Sequence, residues 1–152
     1  PEEIDLNNWL KDFADEFVTH NSLPPEHLTL QLQQNFIQCT FDPSQLHQIV
    51  WNLCENSLKY GQDKHGKVTI RLTAGMDSKY NTAFLEVEDS GKGVPAEIQD
   101  EIFEPFYSSG NASPGLGLYI VRELCEFNHA SIRYIHDRAR GAVFRIQFGS
   151  AA

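Results

Sequence analysis

Asn52, Asn56 and Lys59 recur at i, i+4 and i+7, a spacing that lays three polar side chains along one stripe of an α-helix. An amide oxygen can ligate a hard cation such as magnesium without adding charge, and a nearby ammonium meets phosphate as a point charge. A solvated polar face has the same pattern. A second stretch, Glu88-Asp89-Ser90-Gly91-Lys92-Gly93, ends a run in which Ala83, Leu85 and Val87 alternate. Asp89 continues that phase, so a carboxylate follows apolar side chains onto the inward side of a strand, where it needs a donor. The exocyclic amine of an adenine would serve, and so would a tight Asx-type turn. Gly91 and Gly93 leave the backbone beside it bare, open to close approach by a flat ligand or to positive φ. A third stretch, Pro114-Gly115-Leu116-Gly117-Leu118, runs straight into an apolar-periodic segment. Paired glycines there expose amide donors and the positive end of a helix dipole, which suits phosphate, although a plain Gly-rich helix start looks the same. The pattern is neither G-x-x-x-x-G-K-[ST] nor G-x-G-x-x-G and does not directly follow a strand, so P-loop and dinucleotide-fold readings fail.

The elements that must position these residues follow from periodicity. Leu6, Leu10, Phe13 and Phe17 predict a helix from just after Asp5 to about Thr19, ended by Leu23-Pro24-Pro25. Leu28, Leu30 and Leu32 alternate as a strand, with Phe36 to Phe41 as its expected hairpin partner. Asp42-Pro43-Ser44-Gln45 starts a second helix, with Asp42 as cap and Gln45 as capping-box partner, running through Lys59 to about Gly61. Its Leu46, Ile49, Val50, Leu53 and Cys54 form a core stripe. Val68 to Ala74 and Ala83 to Val87 read as a hairpin, followed by a short helix from Pro95 to about Phe103 and an irregular stretch to Ser113. A further helix begins around Gly115 with Leu116, Ile120, Leu124 and Phe127 on one face, and two strands, Ser131 to His136 and Val143 to Phe148, turn around Gly141. The fold class is α+β: a two-layer sandwich with a mixed, largely antiparallel sheet of about five strands, covered on one face by about three helices.

At 152 residues, without repeats or a convincing linker, the chain reads as a single domain over 1–152 that buries roughly two thirds of its unfolded surface. It has no apolar run long enough to span a bilayer, its first residues are acidic where a targeting segment would be basic, and it lacks an initiating Met. It is expected to be cut from a longer protein. Cys39, Cys54 and Cys125 read as buried free thiols, which makes the cytosol the default location. A net charge of −9 excludes nucleic acid as partner. The same charge burdens any anionic ligand, since two like charges at about 4 Å cost about 4 kcal/mol at an effective dielectric near 20. A triphosphate would need metal, Lys or backbone amides around it.

Taken in order, the Asn-bearing helix, the D-x-G-x-G turn, Glu101-Ile102-Phe103-Glu104-Pro105-Phe106 and the G-L-G-L turn resemble the four boxes of the ATP-binding catalytic domain of sensor histidine kinases. The likeness covers about Ile4 to Phe148. The resemblance implies the Bergerat-type fold shared with gyrase-type topoisomerases, the large heat-shock chaperones and mismatch-repair ATPases. It implies ATP and Mg2+ as cofactors, with Asn52, Asn56 and Lys59 as the catalytic set. Asn56 would hold magnesium, Lys59 phosphate, Tyr60 the adenine ring and Asp89 the adenine amine. Gly91 and Gly93 would admit the base beside Val94, and Gly115 and Gly117 would donate amides to phosphate with Leu116 and Leu118 adjoining. The stretch from Phe106 to Gly115 would be a mobile lid.

Where the hydrolysing relatives carry a Glu one turn before the magnesium Asn, this sequence has Asn52, a poor general base. Transfer is therefore expected over hydrolysis. None of His20, His27, His47, His65, His129 or His136 lies in an acceptor-like H-[ED]-x-x-[TN]-P segment. The implied partners are the dimerisation and histidine-acceptor domain of the same protein and a response-regulator receiver domain. The short lid and the Phe144–Phe148 ending are most like the nitrogen- and type IV pilus-regulating sensor kinases, whose regulators are enhancer-binding. The implied location is cytosolic, as part of a membrane-bound sensor or alone, with no direct membrane contact by this domain. Pro114 stands where Ser or Thr is usual, and 106–113 carry no Lys or Arg. Affinity for ATP weaker than sub-micromolar is expected, with a lid disordered without ligand. The alternatives are a serine protein kinase of the anti-sigma-factor type and a degenerate nucleotide-binding module without catalysis.

Overall fold

The computed structural model describes residues 1–105, 117–135 and 141–149. In chain order the elements are β1 (Glu2–Asp5), α1 (Leu6–His20), β2 (Leu28–Leu32), β3 (Gln38–Phe41), α2 (Pro43–Tyr60), β4 (Ile70–Asp77), β5 (Thr82–Asp89), α3 (Leu118–Phe127), β6 (Ser131–Ile135) and β7 (Val143–Gln147), with 3-10 turns at Pro25–His27 and Ala96–Ile98. A five-stranded sheet runs β2-β4-β5-β7-β6, and β1 and β3 make a separate two-stranded sheet. Among the described residues only β2 and β4 pair in parallel within the larger sheet. This is the mixed, largely antiparallel α+β sandwich expected from the sequence.

The inward phases meet as periodicity requires. Leu10, Phe13 and Phe17 of α1 and Leu46, Ile49, Val50 and Leu53 of α2 are buried, with Leu72, Leu85, Val87 and Ile146 of the sheet in the same core. Cys39, Cys54 and Cys125 are free and buried, and burial pushes the Cys39 and Cys125 thiols up to about 12. The opposite face of the sheet is polar. There Arg145 bonds Glu86 and Asp77, each at 2.9 Å, with its guanidinium over the Phe84 ring.

Four expectations are corrected. The segment ending at Phe41 is no hairpin partner of β2. β3 pairs antiparallel with β1, whose single buried residue, Ile4, gave no period to read. The connection before it is held on the first turn of α1, where Asn7 Nδ2 donates to the carbonyls of Gln34 and Asn35 and Leu6 N–H donates to that of Ile37. The Pro95–Phe103 helix reduces to the turn Ala96–Ile98 and further i→i+3 bonds, at Glu101 and Glu104, that never widen to α geometry. Among the described residues α3 starts at Leu118, with Gly117 as N-cap at φ 72°. It buries Leu118, Val121 and Cys125, whereas Ile120 and Phe127 are 49% and 68% exposed. This helix is apolar on more than one side, so periodicity alone could not choose the inward face.

The fourth correction matters for the site. Asp42 caps α2 by accepting from Gln45 N–H at 3.0 Å, but Gln45 does not return the bond. Asn128, just past α3, takes that role from a distance. Its Oδ1 accepts from Asp42 N–H at 2.9 Å, and its Nδ2 donates to Gln45 Oε1 at 2.7 Å and to Leu124 O at 2.8 Å. One buried amide thus ties the start of α2 to the end of α3, the two helices that carry the Asn stripe and the Gly turn. Removing it strands a buried N–H, which costs about 1–3 kcal/mol. Asn128→Ala should lower stability by about 2 kcal/mol and the melting temperature by about 4–8 °C. Urea and thermal unfolding check this, and a loss below about 0.5 kcal/mol would show that the bridge contributes nothing.

Candidate functional site

The C-terminal end of α2, the end of β5 and the start of β7 converge on Asp89. Its register partner on β4 is Ile70, and the residue is 7% exposed. Oδ1 accepts from Gly91 N–H at 2.9 Å and from Ala142 N–H at 3.2 Å. The Ser57 hydroxyl, on the buried side of α2, donates to Leu53 O at 3.2 Å and lines the same cavity as the carboxyl. Desolvation raises the Asp89 pKa above its ordinary value, and the Gly91 and Ala142 bonds, with the Ser57 hydroxyl near by, offset part of that rise. The Gly91 bond is the Asx-type turn, and it engages one oxygen of the two.

The glycines beside Asp89 turn out to serve the protein's own packing. A Cβ on Gly91 would lie 2.7 Å from both Gly61 Cα and Tyr60 O, so Gly91 clears room for the end of α2. Gly93, at φ 80°, would place a Cβ 2.7 Å from the Tyr134 hydroxyl. Ser90 completes the junction by donating to Gly61 O and accepting from Thr69 N–H, each at 2.9 Å. Gly93 takes the positive φ that was one of the two expectations for it, and it also lines the cavity described next.

A cavity of about 600 Å³ opens against this junction. Leu53, Val94, Ile98 and Phe144 give it apolar walls, with Asp89 and Ser57 as polar groups among them. Asn56, Lys59, Tyr60 and Asp63 line it from α2 and the turn that follows, and Lys92 from the opposite loop. Backbone N–H groups of Lys67 and His65 hold the Asp63 carboxyl below its ordinary range. Asn52 lies outside the cavity lining, but its Oδ1 accepts from Asn56 Nδ2 at 3.3 Å. A Cβ on Gly117 would sit 2.9 Å from Asn52 Nδ2, so Asn52 stands between Asn56 and the Gly turn.

Of the residues expected from the sequence, Asn56, Lys59, Tyr60, Asp89, Gly93 and Val94 share this cavity. Gly91 lies beneath it as packing, and Leu118 is core. Phe106, Pro114, Gly115, Leu116 and the lid expectation fall outside the described residues. The sequence reading missed Lys92, Ser57, Phe144, Gln99 and Tyr134. A cation between the two glycines was a signal for Lys92, and a Ser four residues past Leu53 on an apolar stripe was one for Ser57. Phe144 and Tyr134 arrive from strands more than 40 positions away and had none. Among the described residues no cluster of His, Cys, Asp and Glu could hold a metal ion, and no helix is long and apolar enough to cross a membrane.

Residues 41–151 match the family model of histidine kinase-, DNA gyrase B-, and HSP90-like ATPases. The sensor protein kinase PilS of Pseudomonas aeruginosa is 40% identical over 148 residues, which cover 97% of this chain and 28% of that protein. The chain thus spans under a third of that relative's length. Among solved structures, the catalytic domain of histidine kinase ThkA superposes with a TM-score of 0.77 at 22% identity, over 96% of this chain and 93% of that one. Full-length ShkA in complex with AMPPNP gives 0.76 at 22% identity, over 97% of this chain and 30% of that one. The cavity's polar carboxylate, its Asn-bearing helix and its Gly-capped partner helix are thus set in a known frame, and the chain belongs to the histidine kinase-, DNA gyrase B-, and HSP90-like ATPases.

Proposed function

We propose that this domain binds Mg-ATP in the cavity between α2 and the Asp89–Ile98 loop and donates the γ-phosphate to a histidine on a separate dimerisation domain. The observation that carries this reading is Asp89, a buried carboxylate within apolar walls, with Asn56 and Lys59 on the same cavity. An adenine amine donating to Asp89 supplies the hydrogen bond that burial makes valuable, while Leu53, Val94, Ile98 and Phe144 cover a flat ring. Tyr60, half exposed, closes the outer side.

Lys59 and Lys92 supply the positive charge that an acidic chain otherwise denies a triphosphate. Magnesium fits the donor set here: Asn56 would present a neutral amide oxygen to it, while Asn56 Nδ2 bonds Asn52. When bound, the metal neutralises developing charge on the phosphates. Asn52 orients Asn56 and offers no carboxylate to deprotonate water, so the γ-phosphate waits for a protein nucleophile. The receiving histidine belongs to the dimerisation domain, and a response-regulator receiver domain, of the enhancer-binding type, takes the phosphoryl group onward. The placement is cytosolic.

The test mixes this chain with its separately purified dimerisation domain, γ-labelled ATP and magnesium. Acid-labile label should appear on the acceptor, and Asn56→Ala should abolish it. The chain alone should show negligible ATP turnover; steady hydrolysis that disappears with Asn52→Ala would overturn the assignment to transfer.

Asp89 yields a second expectation, with a sign. Its folded-state pKa lies above the ordinary 3.8, so as pH rises the unfolded chain releases this proton first. The stability contribution of this residue therefore falls as pH climbs from 3.8 through the raised folded value, and stays lower at neutral pH. Asp89→Asn removes that penalty while keeping an oxygen for Gly91 and Ala142. At pH 7 the variant should melt at the same temperature or higher. Its ADP affinity should fall about 10- to 100-fold, the value of a hydrogen bond to a charged group. Scanning calorimetry and titration calorimetry measure the two halves separately.

A further inference from the structure

Val94 walls the cavity, yet it lies beyond the end of β5 and outside every strand ladder. The last ladder-like bond of that strand is Asp89 N–H to Ala142 O at 3.0 Å. Past it, Val94 is held by two side chains from other parts of the fold. Its N–H donates to the Tyr134 hydroxyl at 2.8 Å, and its carbonyl accepts from Gln99 Nε2 at 2.9 Å. Tyr134 stands on β6, an edge strand of the sheet. Gln99 follows the 3-10 turn Ala96–Ile98.

The loop is shaped to receive that hydroxyl. Gly93 turns at φ 80°, and the Cβ of any other residue would sit 2.7 Å from Tyr134 Oη. The Tyr134 ring packs on Phe144 with centroids 5.3 Å apart, and Phe144 meets Phe103 edge-on at 6.2 Å. Phe144 is itself a cavity wall. A chain of contacts therefore runs from the base-side loop, through one hydroxyl and two rings packed at a tilt of 58°, to the segment Glu101–Pro105.

We propose that Tyr134 and Gln99 are positioning residues for the nucleotide: they fix the Val94 wall at the distance from Leu53 and Asp89 that an adenine ring requires. Apolar contact alone would let the loop slide, because it is non-directional; one bond to the Val94 N–H and one to its carbonyl anchor the peptide groups on both sides of the residue and so fix its place and its tilt. Neither residue touches the ligand. The inference rests on the nucleotide reading of the cavity and concerns its base end.

The experiment measures Mg-ADP and Mg-AMP binding to the 152-residue chain by calorimetry at 25 °C, for the wild type, Tyr134→Phe, Gln99→Leu and Lys59→Ala. Tyr134→Phe keeps the ring on Phe144 and removes only the hydroxyl. Each positioning variant should raise Kd about fivefold, the value of one lost hydrogen bond, and by the same factor for AMP as for ADP. Lys59→Ala should lose more with ADP than with AMP. A role confined to overall stability would lower the melting temperature and leave Kd at 25 °C unchanged, since the folded fraction stays near one. If the wild type binds neither nucleotide, the nucleotide reading itself fails. If it binds and the variants rise less than threefold, the positioning role fails. Should Tyr134→Phe not fold, Gln99→Leu decides by the same threshold.

Discussion

Asp89 ends a strand whose other inward-facing residues are Ala83, Leu85 and Val87, and it is as buried as a core residue. A carboxylate in that place is tolerated only where donors converge on it. Here they come from its own turn at Gly91 and from Ala142 before β7, with the Ser57 hydroxyl of α2 close by. Three chain segments are thereby required to meet at one atom group. Gly61 shows how tight the meeting is, since a Cβ there would fall 2.6 Å from Asp89 Cγ. The carboxyl is nonetheless left with a raised pKa, so burial outweighs its partners.

The second constraint is the relation between α2 and α3. Each carries one half of the chemistry read from the sequence, and neither half is useful unless the helices keep their register. One amide bonds both helices, and a second packs against the turn that starts α3. Asn128 joins the N-terminus of α2 to the C-terminus of α3. Asn52, nearer the other end of α2, lies against Gly117 at the start of α3. Between them the buried faces supply the rest, with Val121 and Cys125 small enough to let the helices approach.

What was legible in the sequence was local. Asp42 capping, the apolar stripe of α2, the β4–β5 hairpin and the inward phase of Asp89 all follow from spacings within a few residues, and each is present. What was not legible depends on partners far apart along the chain. The box partner of Asp42 is Asn128, 86 positions away, so the local candidate Gln45 was the natural and mistaken choice. The partner of β3 is β1, a strand of four residues with one buried side chain. For α3, both sides were apolar, and only packing against α2 and the sheet selects Val121 and Cys125 over Ile120 and Phe127. Gly91 and Gly93 were correctly singled out as positions where bulk is forbidden. The obstructing atoms belong to Tyr60, Gly61 and Tyr134, which no short window contains.

Asn52 shows how one residue type can settle chemistry and geometry together. An amide has an acceptor and a donor on one carbon. Its Oδ1 takes the Nδ2 proton of Asn56, and its Nδ2 lies against the Gly117 turn. A carboxylate in the same place could accept from Asn56 as well, but it would bring a second acceptor and a full negative charge to the end of the cavity where phosphates would sit, and that charge would serve as a base for water. The amide keeps the bond to Asn56 within α2 and its packing against the Gly117 turn, and omits the base. In a chain already carrying a net charge of −9, the same substitution also spares a triphosphate one more repulsion at short range. On the proposed reading, the residue that would disfavour hydrolysis is therefore also the one bonded to Asn56.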